Sequence, residues 1–202
     1  MVGKITLTYF DGMGRAEVTR ILLHYGGLQF EDVRISFEQW AAIKDKQPFK
    51  QLPVLDIDGH KLAQSRAFEQ LLASRFHLVG KSDIETALNQ QYILAIDDVA
   101  ANSKGIFFEK DPEKKKALTK TYLDSHVKPF LALVEGFITK NGHGHLVGST
   151  LSYADIALFQ FLWAIVNKEH VVLEGTVKAL YDKVNNEPKI QKYLQSRPDC
   201  AF

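Results

Sequence analysis

The chain lacks the residues that would staple it or load it with metal. It has one cysteine, Cys200, in 202 residues, so no internal disulfide and no CxxC redox or zinc pair can form. It also lacks a surplus of either charge: 25 Lys and Arg stand against 24 Asp and Glu, a net +1. Proteins that neutralise phosphate backbones carry a basic excess, so nucleic-acid binding is excluded as a leading reading. No apolar run approaches ~18 residues, the length a membrane-crossing helix needs. No basic-then-apolar leader precedes the first strand-like segment, and a cytoplasmic protein is expected. What is present is an ordinary globular balance, 46% hydrophobic and 24% charged, which argues against disorder.

The first 80 or so residues alternate between two periodicities. Lys4 to Phe10 (KITLTYF) places Ile5, Leu7 and Tyr9 on one face and reads as a strand. Arg15 to Tyr25 carries Val18, Ile21, Leu22 and Tyr25 at helical spacing and stops at Gly26-Gly27. Phe30 to Ile35 reads as a second strand, and Phe37 to Lys46 as a short helix. Residues 53–57 and 60–63 flank Asp58-Gly59, a strong hairpin signal. Ser65 is placed to cap a third helix over Arg66 to Phe76. The predicted order is βαβαββα, in which the first crossover makes parallel strands and the hairpin antiparallel ones.

Beyond Gly80 only helical patterns follow. They run from Ile84 to Phe108 and from Glu113 to Thr139, where Pro129 predicts a kink or local break. Ser152-Tyr153-Ala154-Asp155 is a capping box. It opens a nearly continuous apolar helix to Val166, and helices near 176–185 and 188–195 finish the chain. The expected domains are 1–79 (α/β), a linker at 80–83, and an all-helical 84–202.

Three constellations in the first domain belong together. One is Tyr9-Phe10-Asp11-Gly12-Met13-Gly14-Arg15, a phenol at a strand end before a guanidinium at a helix start. Another is Gln51-Leu52-Pro53-Val54-Leu55, with proline opening a strand, and the third is Gln64-Ser65-Arg66-Ala67 at a helix N-terminus. Taken singly, each has an ordinary structural reading: a strand tyrosine, a strand-start proline, an N-cap.

In this order, on this element string, they resemble the cytosolic glutathione transferases, which join a thioredoxin-like α/β domain to an all-α domain. The strings TYFDGMGRAEVTRILLHYGG, QLPVLDIDG, LAQSRAFEQLLA and STLSYADIALF carry the resemblance over the whole chain. The Tyr-Phe start, Val33-Arg34-Ile35 followed by Trp40, and the spacing from Pro48 are most similar to the sigma class, which includes glutathione-dependent prostaglandin D synthases.

The resemblance implies a transferase that uses glutathione as co-substrate, with no other cofactor and no metal, in a detoxification role. It makes Tyr9 and Arg15 catalytic, the phenol donating to the glutathione sulfur. It implies a cis Pro53 with Leu52 pairing to the cysteinyl backbone, and Ser65 and Gln64 at the γ-glutamyl carboxylate. Trp40, Lys44 and Gln51 become the glycyl clamp. Asp98, with Asp97 second, reaches across a homodimer to the partner's ligand. Leu94 stands where the prostaglandin synthases have a third acid, hence no metal is expected. The second-substrate pocket is assigned to Phe10, Met13, Gly14, Gly105, Tyr153 and Phe202. Gly105 occupies a position where prostaglandin synthases carry tryptophan, so a wider pocket is expected.

The expected reaction is attack of the thiolate on hydrophobic electrophiles, and hydroperoxide reduction is open to the same nucleophile. Two alternatives stay open: glutathione-dependent isomerisation of prostaglandin H to the D form, and a non-catalytic ligand carrier or crystallin-like protein. His143-Gly144-His145 reads as a turn, not a metal site. Phe49 is read either as a dimer contact or as core packing.

Overall fold

The pattern Thr-Leu-Thr-Tyr-Phe forms strand β1 (Thr6–Phe10), burying Leu7 and Tyr9 and leaving their neighbours half-buried, the period-two signature of a sheet strand. The computed structural model describes residues 3–169 and 171–200. β2 (Glu31–Ile35) pairs parallel with β1, from Thr6 opposite Glu31 to Phe10 opposite Ile35. The crossover this requires is α1 (Glu17–Tyr25), preceded by a 3-10 turn at Gly14–Ala16. β3 (Val54–Ile57) and β4 (His60–Ala63) form the hairpin. Asp58 and Gly59 both take positive φ, 53° and 77°, which suits a tight two-residue reversal. The strand order is β2-β1-β3-β4. Helix α2 (Phe37–Ile43) starts at a capping box made by Ser36 and Gln39, and α3 (Ser65–Arg75) follows β4.

The chain divides into two compact units, one running to Leu78 and resuming at Glu187, the other Val79–Asn186. The sequence reading ran the helical domain from 84 to 202. The last helix, α10 (Pro188–Ser196), belongs instead with the first unit. Its Ile190 is fully buried, and its Tyr193 hydroxyl donates to Glu17 of α1 at 2.9 Å. The expected linker at 80–83 is also shorter, because Ser82 caps α4 (Asp83–Ala101) through the Glu85 N–H, 3.2 Å.

The second unit holds α4, α5 (Lys104–Phe108), α6 (Pro112–Tyr122), α7 (Lys128–Asn141), α8 (Tyr153–Glu169) and α9 (Gly175–Asn185). The single helix expected over 84–108 breaks after Ala101. There the Asn102 side chain bonds Asp98 O and the Ser103 hydroxyl bonds Ala100 O, 2.8 Å each, so side chains take carbonyls that the next helical turn would use. The break expected at Pro129 is a π turn over Leu123–Val127, closed by the Lys128 N–H on Leu123 O. Proline has no N–H to give the preceding turn, and a widened turn just before it accommodates that loss.

The capping box is present. Asp155 N–H meets Ser152 Oγ at 3.3 Å and Ser152 N–H meets Asp155 Oδ2 at 2.9 Å. Asp155 also accepts from Leu146 N–H at 2.8 Å and pairs with His145 Nδ1 at 2.9 Å. The glycine-rich segment before α8 is thus a buried latch around one carboxylate. Tyr122 of α6 is pushed up to about 12 by burial and then by Glu169. Among the described residues, no helix is long and apolar enough to cross a membrane.

Candidate functional site

Register alone gathers the predicted residues at one end of the sheet. Thr8 lies opposite Val54, and Val54 opposite Ala63. Continuing each ladder by one residue brings Tyr9, Pro53 and Gln64 into adjacent rows, with Phe10, Leu52 and Ser65 in the next. The end of β1, the start of β3 and the start of α3 therefore share one edge. α2, which carries Trp40, follows from the neighbouring end of β2.

Tyr9 is 9% exposed, and its hydroxyl oxygen accepts the Arg15 backbone N–H at 3.3 Å. No acceptor takes the phenol proton among the described residues, so this hydroxyl has a donor to offer. An N–H on its oxygen also polarises the O–H bond, as in any hydrogen-bond chain. The approach depends on Gly14, which has φ +37° and whose notional Cβ would stand 2.5 Å from the Tyr9 hydroxyl. Gly14, expected in the second-substrate pocket, is exposed and lies against the phenol. The Arg15 side chain is exposed, and its contact with Tyr9 is through the backbone.

Leu52–Pro53 is cis, as the resemblance implies, with Pro53 buried and Leu52 half-buried. The Gln64 amide donates to Gln51 Oε1 at 3.0 Å, tying the end of β4 to the segment before β3. Gln64 has φ +66°, a conformation that costs a non-glycine residue and that clusters at ligand sites. It occupies the N-cap position expected of Ser65, while Ser65 is the first residue of α3 and 6% exposed. α3 is fixed against α1 by buried Glu69, which accepts from Thr19 Oγ1 at 3.2 Å and from Arg66 at 2.7 Å. Trp40 is half-buried with its ring 6.2 Å from Phe10, which lies 4.7 Å from Phe37. Lys44 is exposed just past the end of α2. Met13 is half-buried at the head of the 3-10 turn.

In the second unit, Asp98 is exposed and Asp97 half-buried on α4. A Cβ on Gly105 would meet nothing within 4 Å, in keeping with an open position. Tyr153 is 0% exposed; assigned to the pocket wall from sequence, it has no surface to give a ligand, because the first turn of α8 is wholly enclosed. Phe202 lies outside the described residues. Phe49 is 76% exposed, which removes the core-packing reading. His145 is buried against Asp155, and among the described residues no group of three metal-ligating side chains exists.

Sequence reasoning missed Arg20. Its side chain is 1% exposed, with Nε 3.1 Å from both Asp32 oxygens and Nη1 2.8 Å from Gly12 O and 3.1 Å from Glu17 Oε2. It thereby anchors the turn between β1 and α1 on which Gly14 and Arg15 stand. The signal was available: Glu17 and Arg20 sit at i and i+3 amid Val18, Ile21 and Leu22, charges on a face with no solvent.

Two family models match the chain: glutathione S-transferase N-terminal domain over residues 5–73 and glutathione S-transferase C-terminal domain over 97–197. Glutathione S-transferase 1 of Ascaris suum is 34% identical over 97% of this chain and 98% of its own. A Nu-class transferase structure from Haemonchus contortus is 33% identical with a TM-score of 0.91, covering both chains fully. A structure described as prostaglandin synthase D of Nilaparvata lugens is 34% identical with a TM-score of 0.84, over 97% of this chain and 99% of that one. With domain models and full-length relatives in agreement with the sheet edge built around Tyr9, the chain belongs to the glutathione S-transferase family.

Proposed function

We propose that Tyr9 holds the sulfur of bound glutathione as a thiolate and that this thiolate attacks hydrophobic electrophiles. A free thiol has a pKa of roughly 8.5, so little thiolate exists at neutral pH. Lowering it by two units needs about 2.7 kcal/mol of selective stabilisation of the anion. One hydrogen bond to a charged acceptor contributes about 1.5–3 kcal/mol. The observation that carries this reading is the Tyr9 hydroxyl, with its oxygen occupied by the Arg15 N–H and its proton uncommitted. The thiol proton leaves to solvent, and Tyr9 stays a neutral donor throughout. The new C–S bond forms from the sulfur lone pair, and the electrophile's leaving group or π electrons take the displaced pair.

The peptide part of glutathione is assigned to the neighbouring residues. Leu52, beside cis-Pro53, pairs with the cysteinyl backbone as an added strand would. Ser65, at the start of α3, receives the γ-glutamyl carboxylate on first-turn N–H groups. Gln64 holds that same end of the ligand, its side chain bonded to Gln51. Trp40, Lys44 and Gln51 take the glycyl end. The proposed enzyme is a cytoplasmic homodimer in which Asp98 reaches the partner's ligand. The exposure of Asp98 and of Phe49 supports that reading. Electrophile conjugation ranks first, and the relative described as a prostaglandin synthase keeps prostaglandin isomerisation as the second reading.

Tyr9→Phe is expected to lower kcat about 10–100-fold, from losing about 1.5–3 kcal/mol of anion stabilisation, and to leave the KM for glutathione little changed. The direct measurement is thiolate absorbance of bound glutathione against pH. An apparent thiol pKa unchanged in the variant would overturn the assignment.

A further inference from the structure

Behind the turn that carries Gly14 and Arg15, the first unit buries a chain of charged groups that reaches the last helix. It starts on α10, where the Tyr193 hydroxyl donates to Glu17 Oε1 at 2.9 Å and Arg197 Nη1 donates to the same oxygen at 3.1 Å. The other Glu17 oxygen accepts from Arg20 Nη1 at 3.1 Å, and that nitrogen also donates to Gly12 O at 2.8 Å. The Glu17 and Arg20 side chains are each 1% exposed, so bulk water does not replace a lost partner. Tyr193 is itself held, with His24 stacked on its ring at 4.3 Å. Burial and then Glu17 push its hydroxyl pKa up, which keeps it a donor.

The other end of the chain is the seat of Tyr9. Gly12 is buried, its N–H on Phe10 O at 2.8 Å and its carbonyl on Arg20. Asp11 beside it is held by Arg34 at 3.0 Å, and Asp32 joins the two guanidiniums, accepting from both Nε atoms. Arg20 Nη2 is buried without a hydrogen-bond partner, so Nε and Nη1 alone fix where the guanidinium lies. Three residues past Gly12, the Arg15 N–H reaches the Tyr9 hydroxyl at 3.3 Å, just beyond the usual span of about 2.7–3.2 Å. A bond that long loses strength with any further retreat of the turn. Advance is blocked as well, because a Cβ on Gly14 would already stand 2.5 Å from the hydroxyl.

We infer that Tyr193 and Arg197 of α10 are positioning residues for the Tyr9 site: by holding one oxygen of Glu17 they fix the other on Arg20, Arg20 on Gly12, and hence the Arg15 N–H on the phenol. This rests on the reading of Tyr9 as donor to the sulfur. Packing alone does not call for such a chain, since apolar side chains of similar volume serve a buried position as well as an ion pair does. Ile190 of α10, 0% exposed, already supplies that kind of burial. What the charged chain adds is direction, a fixed place for one carbonyl of the turn.

The test follows the thiolate absorbance of glutathione bound to the full-length protein against pH. The double variant Tyr193→Phe, Arg197→Met strips both donors from Glu17 Oε1 and keeps the ring and the stem. Its apparent thiol pKa is expected to rise by about 0.5, roughly threefold less thiolate at a pH below it. The matching loss of kcat should vanish well above that pKa. Tyr193→Phe alone, which removes one hydroxyl, should rise less in the same direction and decides the matter if the double variant does not fold. Ile190→Val loosens the same helix without touching Glu17 and should keep the parent value. Added to Tyr9→Phe, the α10 changes should raise the pKa no further, because they act through the phenol. A parent pKa in the folded α10 variants, an equal rise in Ile190→Val, or a full further rise on top of Tyr9→Phe would overturn the inference. If Tyr9→Phe raises the pKa and the α10 variants do not, this inference alone falls; if Tyr9→Phe itself leaves it unchanged, the thiolate reading falls as well.

Discussion

Gly14 brings its backbone so close to Tyr9 that a methyl group there would stand 2.5 Å from the hydroxyl oxygen and 2.9 Å from the ring. Tyr9 is buried, so the ring has little room to retreat, and φ +37° is itself unfavourable for alanine. Gly14→Ala is therefore expected to displace the phenol without unfolding the sheet. Its kcat should fall toward that of Tyr9→Phe, about 10–100-fold by the same lost hydrogen bond, with the far-ultraviolet circular dichroism of the parent. Parent-like turnover in a variant of normal fold would show that the exact seat of the phenol is not needed. A single residue also explains what the sequence hid at this site. The motif from Tyr9 to Arg15 pointed to a guanidinium, but the group on the phenol is the Arg15 backbone N–H, and no residue type announces a backbone donor.

The strands, the first crossover and the hairpin were legible because their signals are local: alternation in β1, and Asp-Gly between β3 and β4. Legibility failed where long-range partners decide. The helix read as continuous over 84–108 stops where Asn102 and Ser103 turn back on their own carbonyls. α10 carries an ordinary amphipathic pattern, and it is long-range partners in α1, among them Glu17 for Tyr193 and Arg197 and His24 for the Tyr193 ring, that assign it to the first unit. The capping box before α8 was legible, but its scale was not. Asp155 is 0% exposed and serves Ser152, Leu146 and His145 together. His145 Nε2 lies 3.2 Å from Lys183 Nζ, which can only donate, so these partners assign the ring proton to Nδ1. Removing the carboxylate leaves those N–H groups buried and unanswered. Asp155→Ala is expected to destabilise the protein by about 3–5 kcal/mol, the range for breaking a buried charged network, as read from urea unfolding with the parent m-value. A loss below about 1 kcal/mol would mean that this buried latch contributes little to stability.

At the scale of the molecule, a net charge of +1 gives little long-range repulsion between copies, and the family is generally dimeric. The first unit exposes Phe49, held at φ +54°, and α4 of the second exposes Ile84 and Leu94. Scattered apolar residues are normal on a monomer, so these alone decide nothing. Asp98 supplies the sharper question. In the proposed dimer it faces the ammonium of the γ-glutamyl group bound to the partner. Two unit charges about 4 Å apart near a protein surface interact by about 4 kcal/mol before desolvation and screening, and measured exposed pairs come to about 1 kcal/mol or less. Asp98→Ala should therefore raise the KM for glutathione roughly 2–5-fold with little change in kcat, since the pair binds the peptide and does not touch the sulfur. The effect should shrink as salt rises, because a rim pair is screened over about 10 Å at 0.1 M. Asp97→Ala, on the half-buried neighbour, serves as the comparison. Sedimentation at assay concentration completes the measurement: a dimer with weakened glutathione binding supports a shared site, whereas a fully active monomer, or a parent KM in Asp98→Ala with the defect in Asp97→Ala, assigns the contact elsewhere.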